Sequence, residues 1–238
     1  MGELERLLVA HIGEHGPIGF DEFQAHALYA PELGFYSGGG GAGRRRDFLT
    51  SPEVGPLFGA VIARALDAWW AERARPSRFV VVEAGAGPGA LARSILAASP
   101  ACADALELVL VEPAAIQWST HPAGATSRAD LPGPGEVVDG PVVVLANELL
   151  DNLPTVLAER TDDGWAEVVV DTCDGTLAFG QRPLDARRQA WCASRAGDAR
   201  VGARVAVQAE AAAWLGDALD LAATDGRVVI FDYARTTA

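Results

Sequence analysis

Glu83 is followed at alternate positions by Gly85, Gly87 and Gly89, within the stretch FVVVEAGAGPGALARSIL that runs from Phe79 to Leu96. A carboxylate beside three glycines suits one kind of chemistry: holding the charged or hydroxylated part of a cofactor against bare backbone. For that, the residues must sit on a turn between a strand and a helix. There, backbone N–H groups converge at a helix N-terminus, and the missing side chains let a ligand come close. The flanks supply both elements. Phe79–Val82 is an unbroken apolar run, the pattern of a parallel strand covered on both faces. Ala90–Ala98 has the composition of a helix.

Two cofactor patterns fit this turn. GxGxx[G/A], the dinucleotide pattern, is met by Gly85, Gly87 and Ala90, with an acidic residue about 20 positions further on. ExGxGxG, the methyl-donor pattern, is met by Glu83, Gly85, Gly87 and Gly89, with Glu112 closing the next strand, Leu106–Val111. Glu83 discriminates between them. A pyrophosphate is anionic, so a carboxylate at the end of the first strand opposes it. S-adenosylmethionine carries no phosphate but has a cationic sulfonium and an α-amino group. Glu112, as an acceptor, suits the two ribose hydroxyls. The charges therefore favour the methyl donor, with an NAD(P)-dependent oxidoreductase as the alternative.

A second cluster of acids lies at the end of another apolar strand. Pro141–Ala146 leads into Asn147, Glu148 and Asp151, at the carboxyl end of a strand, where open α/β sheets place their ligands. Capping the following helix accounts for one of these residues, not three. Paired carboxylates can orient a guanidinium and stabilise charge as a methyl group transfers to nitrogen. Upstream, Thr50-Ser51-Pro52-Glu53 is a helix start, with Ser51 at the N-cap, Pro52 at the first helical position and Glu53 in the first turn.

The elements that must position these residues alternate between strands and helices, which predicts an α/β fold with a mainly parallel sheet. Helices are expected over Glu3–Glu14, within Ile18–Tyr36 and from Ser51 to about Arg73. Further helices are expected from Ala114 and over Val207–Ala223. Ala125–Leu131 is a weak strand, Gly226–Tyr233 is the last one, and Trp165–Val170 with Thr176–Phe179 form a hairpin turning near Asp174-Gly175. This gives an N-terminal helical segment, residues 1–75, as a lid or wall of the site. Residues 76–238 then form the Rossmann-like core, with a hairpin insertion near 160–185.

Composition excludes several classes. The 238 residues carry a formal net charge of −13, which disfavours nucleic acid and suits an arginine-bearing partner. The chain has no lysine, so P-loop and Schiff-base lysine chemistry are excluded. Cys102, Cys173 and Cys192 are too far apart for a zinc site or a disulfide framework. His11-x-x-Glu14-His15 matches HxxEH, but its helix ends one residue later and no third ligand accompanies it, so no metal is expected. No apolar run is long enough to span a bilayer and the N-terminus lacks signal-peptide features, so a cytoplasmic protein is expected, open to forming a homo-oligomer.

Four co-linear segments, LYAPELGFYS, RDFLTSPEVGPLFG, VEAGAGPGALA and LANELLDNLP, together resemble the MidA-like family of S-adenosylmethionine-dependent methyltransferases. That family includes the mitochondrial arginine methyltransferase needed to assemble respiratory complex I. The resemblance runs from about Gly16 to Tyr233 and implies a class I methyltransferase fold. It implies that Glu83, Gly85, Gly87, Gly89 and Glu112 line the donor site. Thr50, Ser51, Pro52, Glu53, Asn147 and Glu148 would then border the reaction centre, with a protein arginine as acceptor. Arg46 stands where the family has glycine, and members continue beyond a strand like Gly226–Tyr233, so truncation at the C-terminus is expected. A catalytically silent assembly or chaperone-like protein of the same fold is the alternative from another class.

Overall fold

The computed structural model describes residues 1–38, 40, 55–137 and 140–233. In chain order the elements begin with α1 (Glu3–His15), β1 (Ile18–Gly19), α2 (Phe20–Tyr29) and α3 (Pro56–Glu72). Next come β2 (Phe79–Ala84), α4 (Ala90–Ala97), β3 (Leu106–Val111), a 3₁₀ segment (Ala115–Thr120), β4 (Thr126–Arg128) and β5 (Val143–Asn147). A short 3₁₀ turn (Leu150–Asn152), β6 (Val156–Thr161), β7 (Gly164–Cys173) and β8 (Thr176–Pro183) follow. The last are α5 (Ala186–Ala196), β9 (Arg204–Val207), α6 (Ala209–Ala222) and β10 (Arg227–Phe231).

The chain divides into two compact units, one of Met1–Gly34 with Asp151–Ala213, the other of Phe35–Leu150 with Trp214–Ala238. In the second, five strands run parallel in the order β10-β5-β2-β3-β4, with β2 in the centre. The period of two along β2 explains its unbroken apolar run. Phe79 and Val81 face Ile62 and Leu66 of α3 and Leu91 and Ile95 of α4. Val80 and Val82 face Ala218, Leu221 and Ala222 of α6. Every residue of β2 is buried. Helices α3 and α4 touch at a glycine, since a Cβ on Gly59 would lie 2.1 Å from Ser94 Oγ.

In the first unit the strands are antiparallel, in the order β1-β7-β6-β9, with β8 on β7. The expected hairpin forms: β7 and β8 join through Asp174 (φ 50°) and Gly175 (φ 74°), the left-handed pair a type I′ turn needs. One side of this sheet packs Val156, Ala158, Trp165 and Val207 with Leu184 and Cys192. Elsewhere Leu8 and Ile12 of α1 bury Ile18 and Val170.

The structure therefore divides the chain otherwise than at residue 75. Helix α3 covers the parallel sheet and belongs with it, while residues 1–34 join the strands after Asp151. The hairpin is not a lone insertion but part of a five-stranded sheet. The helix expected from Ala114 is a 3₁₀ segment, and the described part of the helix expected from Ser51 begins at Pro56 behind Gly55. Among the described residues, no helix is long and apolar enough to cross a membrane.

Candidate active site

Where β2 ends, Gly85, Gly87 and Gly89 all adopt left-handed backbone conformations, with φ of 68°, 50° and 76°. A Cβ on Gly85 would press on Leu149 Cδ1 at 3.0 Å, and one on Gly89 would press on His121 Cδ2 at 3.2 Å. Those two glycines make room for neighbouring side chains. Gly87 differs: among the described residues a Cβ there would meet nothing within 4 Å, so this face of the turn is bare backbone.

Glu112 closes onto the same turn from the end of β3. Its Oε2 accepts the Gly87 N–H at 3.0 Å, its Oε1 accepts the Ala114 N–H at 2.8 Å, and its backbone carbonyl accepts Trp118 Nε1–H at 2.8 Å. The side chain is buried, which raises its pKa above the ordinary carboxylate value while the two amides pull it down. Two of its roughly four lone-pair directions are engaged, so acceptor capacity remains for hydroxyl groups.

Glu83 is also buried, and among the described residues its Oε2 has no hydrogen-bond partner. By the alternation of β2 it lies on the face covered by α4. Burial pushes its pKa up to about 8; the Ala92 backbone and the Arg93 charge act against that without cancelling it. A carboxyl group held there with an unsatisfied oxygen lacks a donor or a cation.

The second cluster is split by the fold. Asn147 ends β5, paired with Phe231 of β10. Glu148 follows at φ 53°, a strained conformation for a side-chain-bearing residue, and its N–H donates to the Phe231 carbonyl at 2.8 Å. Asp151 opens the second stretch of the other unit, where its carbonyl accepts Gln24 Nε2–H at 2.8 Å and its Oδ1 accepts Asn152 Nδ2–H at 3.0 Å. Thr50, Ser51, Pro52 and Glu53 lie outside the described residues.

Two contributors escape the motif reading. His121 donates from Nε2 to the Gly87 carbonyl at 2.8 Å, and its Nδ1 lies 2.7 Å from Ser127 Oγ. Asp232, just after β10, accepts the Leu150 N–H on Oδ2 and the Tyr233 N–H on Oδ1, both at 2.8 Å, which ties the loop after β5 to the neighbouring strand. No spacing rule points to either, because each acts across a fold contact and outside a motif. Chemically, the turn presents bare backbone flanked by two buried carboxylates, one of which already occupies the Gly87 amide. That amide cannot cradle a pyrophosphate, and an ionised carboxylate beside it would repel one. Hydroxyls and a cation fit.

Comparisons with known proteins agree with that chemistry. Residues 61–238 match the family described as "Putative S-adenosyl-L-methionine-dependent methyltransferase". Among curated proteins, the mitochondrial protein arginine methyltransferase NDUFAF7 homolog of Drosophila melanogaster is 30% identical over 216 residues, covering 79% of this chain and 49% of that protein. The human protein arginine methyltransferase NDUFAF7 is 28% identical over 195 residues, covering 70% and 44%. The chain thus spans about half the length of the curated relatives it matches. A crystal structure from Burkholderia thailandensis bound to S-adenosyl-homocysteine superposes with a TM-score of 0.74 at 32% identity, covering 89% of this chain and 57% of that one. A native structure from the same organism gives 0.73 at 30% identity, with 89% and 56% covered.

Proposed function

Because this chain belongs to the family of S-adenosyl-L-methionine-dependent methyltransferases, we propose that it binds S-adenosylmethionine at the Glu83–Gly89 turn and transfers its methyl group to a protein arginine. The observation that carries the donor site is the face of Gly87 left open among the described residues, with Glu112 bonded to its amide and, near the end of the preceding strand, a buried Glu83 oxygen with no described partner. When bound, the donor supplies an electrophilic methyl on a sulfonium. The chain's own residues do the holding. Glu83 offers a carboxylate to a cationic group of the donor, Glu112 offers its remaining lone pairs to ribose hydroxyls, and Gly87 keeps side chains out of the way.

In this reading Asn147, Thr50, Ser51 and Pro52 border the donor, and Glu148, just after β5, borders the acceptor, with Asp151 and Glu53 as further candidates. Their carboxylates would orient a guanidinium by paired hydrogen bonds and hold its charge as methyl arrives. The arginine acceptor is supported by the names of the relatives and by the net charge of −13, which attracts a cationic protein.

Calorimetry with S-adenosyl-homocysteine tests the donor site. Wild type should bind, whereas Glu83→Ala and Gly87→Val should each lower affinity by at least about 100-fold; the valine both strains the left-handed backbone and fills the open face. Unchanged affinity in both variants sinks the site assignment. Incubation with radiolabelled donor and native lysate, followed by mass spectrometry of the labelled residue, tests the acceptor. Label on an arginine nitrogen supports the proposal, and label only on other residues or on small molecules removes the arginine part.

A further inference from the structure

We propose that His121 is a positioning residue for the donor site, locking the Gly87–Pro88 peptide so that the bare face of the glycine turn is presented to the ligand. The proposal rests on the reading of the turn as the donor site. Gly87 is tied on both sides by side chains from the segment that follows β3. Its N–H donates to Glu112 Oε2 at 3.0 Å, and its carbonyl accepts from His121 Nε2 at 2.8 Å. The next carbonyl, of Pro88, accepts from Thr120 Oγ1 at 2.9 Å and from Arg93 Nη1, which also reaches the Thr120 carbonyl at 2.7 Å.

These bonds fix the tautomer of the ring. A carbonyl oxygen only accepts, so the proton must sit on Nε2. In the neutral ring Nδ1 then accepts the Ser127 hydroxyl, 2.7 Å away on β4. The chain of contacts runs from the strand β4 through the imidazole to the glycine turn, so a rigid sheet element sets the orientation of a flexible peptide. Glycine is the residue whose peptide groups rotate with least steric resistance. At Gly87 an external lock is therefore needed, because nothing about the residue itself holds φ at 50°. The third motif glycine serves the same device. A Cβ on Gly89 would stand 3.2 Å from His121 Cδ2 and 3.3 Å from Pro122 Cδ, so the absence of a side chain there admits the histidine.

The experiment is S-adenosyl-homocysteine binding by calorimetry for wild type, His121→Ala, His121→Gln and Ser127→Ala, with melting temperatures measured on the ligand-free proteins. His121→Ala should bind about tenfold more weakly, the effect of one lost hydrogen bond on a pre-organised turn. His121→Gln, whose amide can still donate to the Gly87 carbonyl, should recover affinity to within about threefold of wild type. Ser127→Ala, on a half-exposed strand position, keeps the fold testable if His121→Ala does not fold, and should weaken binding about two- to threefold. A purely structural histidine would lower the melting temperature without changing affinity in the folded variant, and that result overturns the proposal. So does affinity in Gln that is no better than in Ala. If wild type itself fails to bind, the donor reading falls, and the lock is judged on the ligand-free protein by nitrogen-15 NMR of the ring. A protonated Nε2 supports it and a protonated Nδ1 overturns it.

Discussion

At the scale of single residues, the role proposed for Glu83 would couple ligand binding to protons. Its carboxyl has an ordinary value of 4.5 that burial raises to about 8, so it is largely neutral in the ligand-free protein at pH 7. A cationic group placed against it favours the ionised form, so donor binding should release a fraction of a proton near pH 7. Calorimetry in buffers of different ionisation enthalpy measures that release, and Glu83→Gln should abolish it. The same shift has a consequence for stability. The folded pKa lies above the unfolded one, so the group's stabilising contribution is fully present below about pH 4.5 and is lost as pH rises through 8. Thermal melts should therefore show Glu83→Gln gaining on wild type between pH 5 and pH 8, with the gap levelling off above that. A constant difference across the range would mean that the carboxyl is already ionised in the folded protein.

At the scale of elements, the site depends on two close fits. The turn is carried by α4, and α4 is seated against α3 through Gly59, where a Cβ would lie 2.1 Å from Ser94 Oγ and 2.8 Å from the Ser94 backbone carbonyl carbon. Backbone cannot yield as a flexible side-chain tip can. Gly59→Ala should therefore cost about 1–3 kcal/mol in denaturant melts, against a small gain from better helix propensity. Asp232 makes the other fit. By accepting the Leu150 N–H it anchors the loop that carries Glu148 in its strained conformation. Asp232→Ala should release that loop and cost about 1–2 kcal/mol, while Asp232→Asn, which keeps one acceptor oxygen, should cost less.

At the scale of the whole molecule, the charge is strongly one-sided. A net charge of −13 on 238 residues means self-repulsion, all of its cationic side chains being arginine. Raising salt from about 20 to 200 mM shortens the Debye length from roughly 20 Å to 7 Å, so the melting temperature should rise with salt. Over the same range, association with an arginine-rich protein acceptor should weaken, mainly through a slower on-rate. Binding of the small donor should change little, because Glu83 and Glu112, the carboxyl groups proposed to hold it, are buried. A salt-independent acceptor affinity would point to a partner recognised through apolar contacts instead.

The local patterns in the sequence determined much of this protein. The strands Phe79–Ala84, Leu106–Val111 and Val143–Asn147, the glycine turn and the Asp174-Gly175 hairpin all follow from side-chain period and turn chemistry, which neighbours in the chain dictate. The acidic ends of those strands carried the choice of cofactor, because the sign of a charge is legible without coordinates. What tertiary structure alone decided is closure over distance. Val156–Thr161 and Arg204–Val207 are short and mixed in polarity, so only pairing makes them strands, and only their sheet separates residues 151–213 from the parallel unit. Glu112, His121 and Asp232 meet their partners across 25, 34 and 82 residues of chain. Hydrogen bonds of that reach leave no periodicity behind, so Glu112 was legible only as an acidic strand end, and His121 and Asp232 became visible only once the sheet had brought them to their partners.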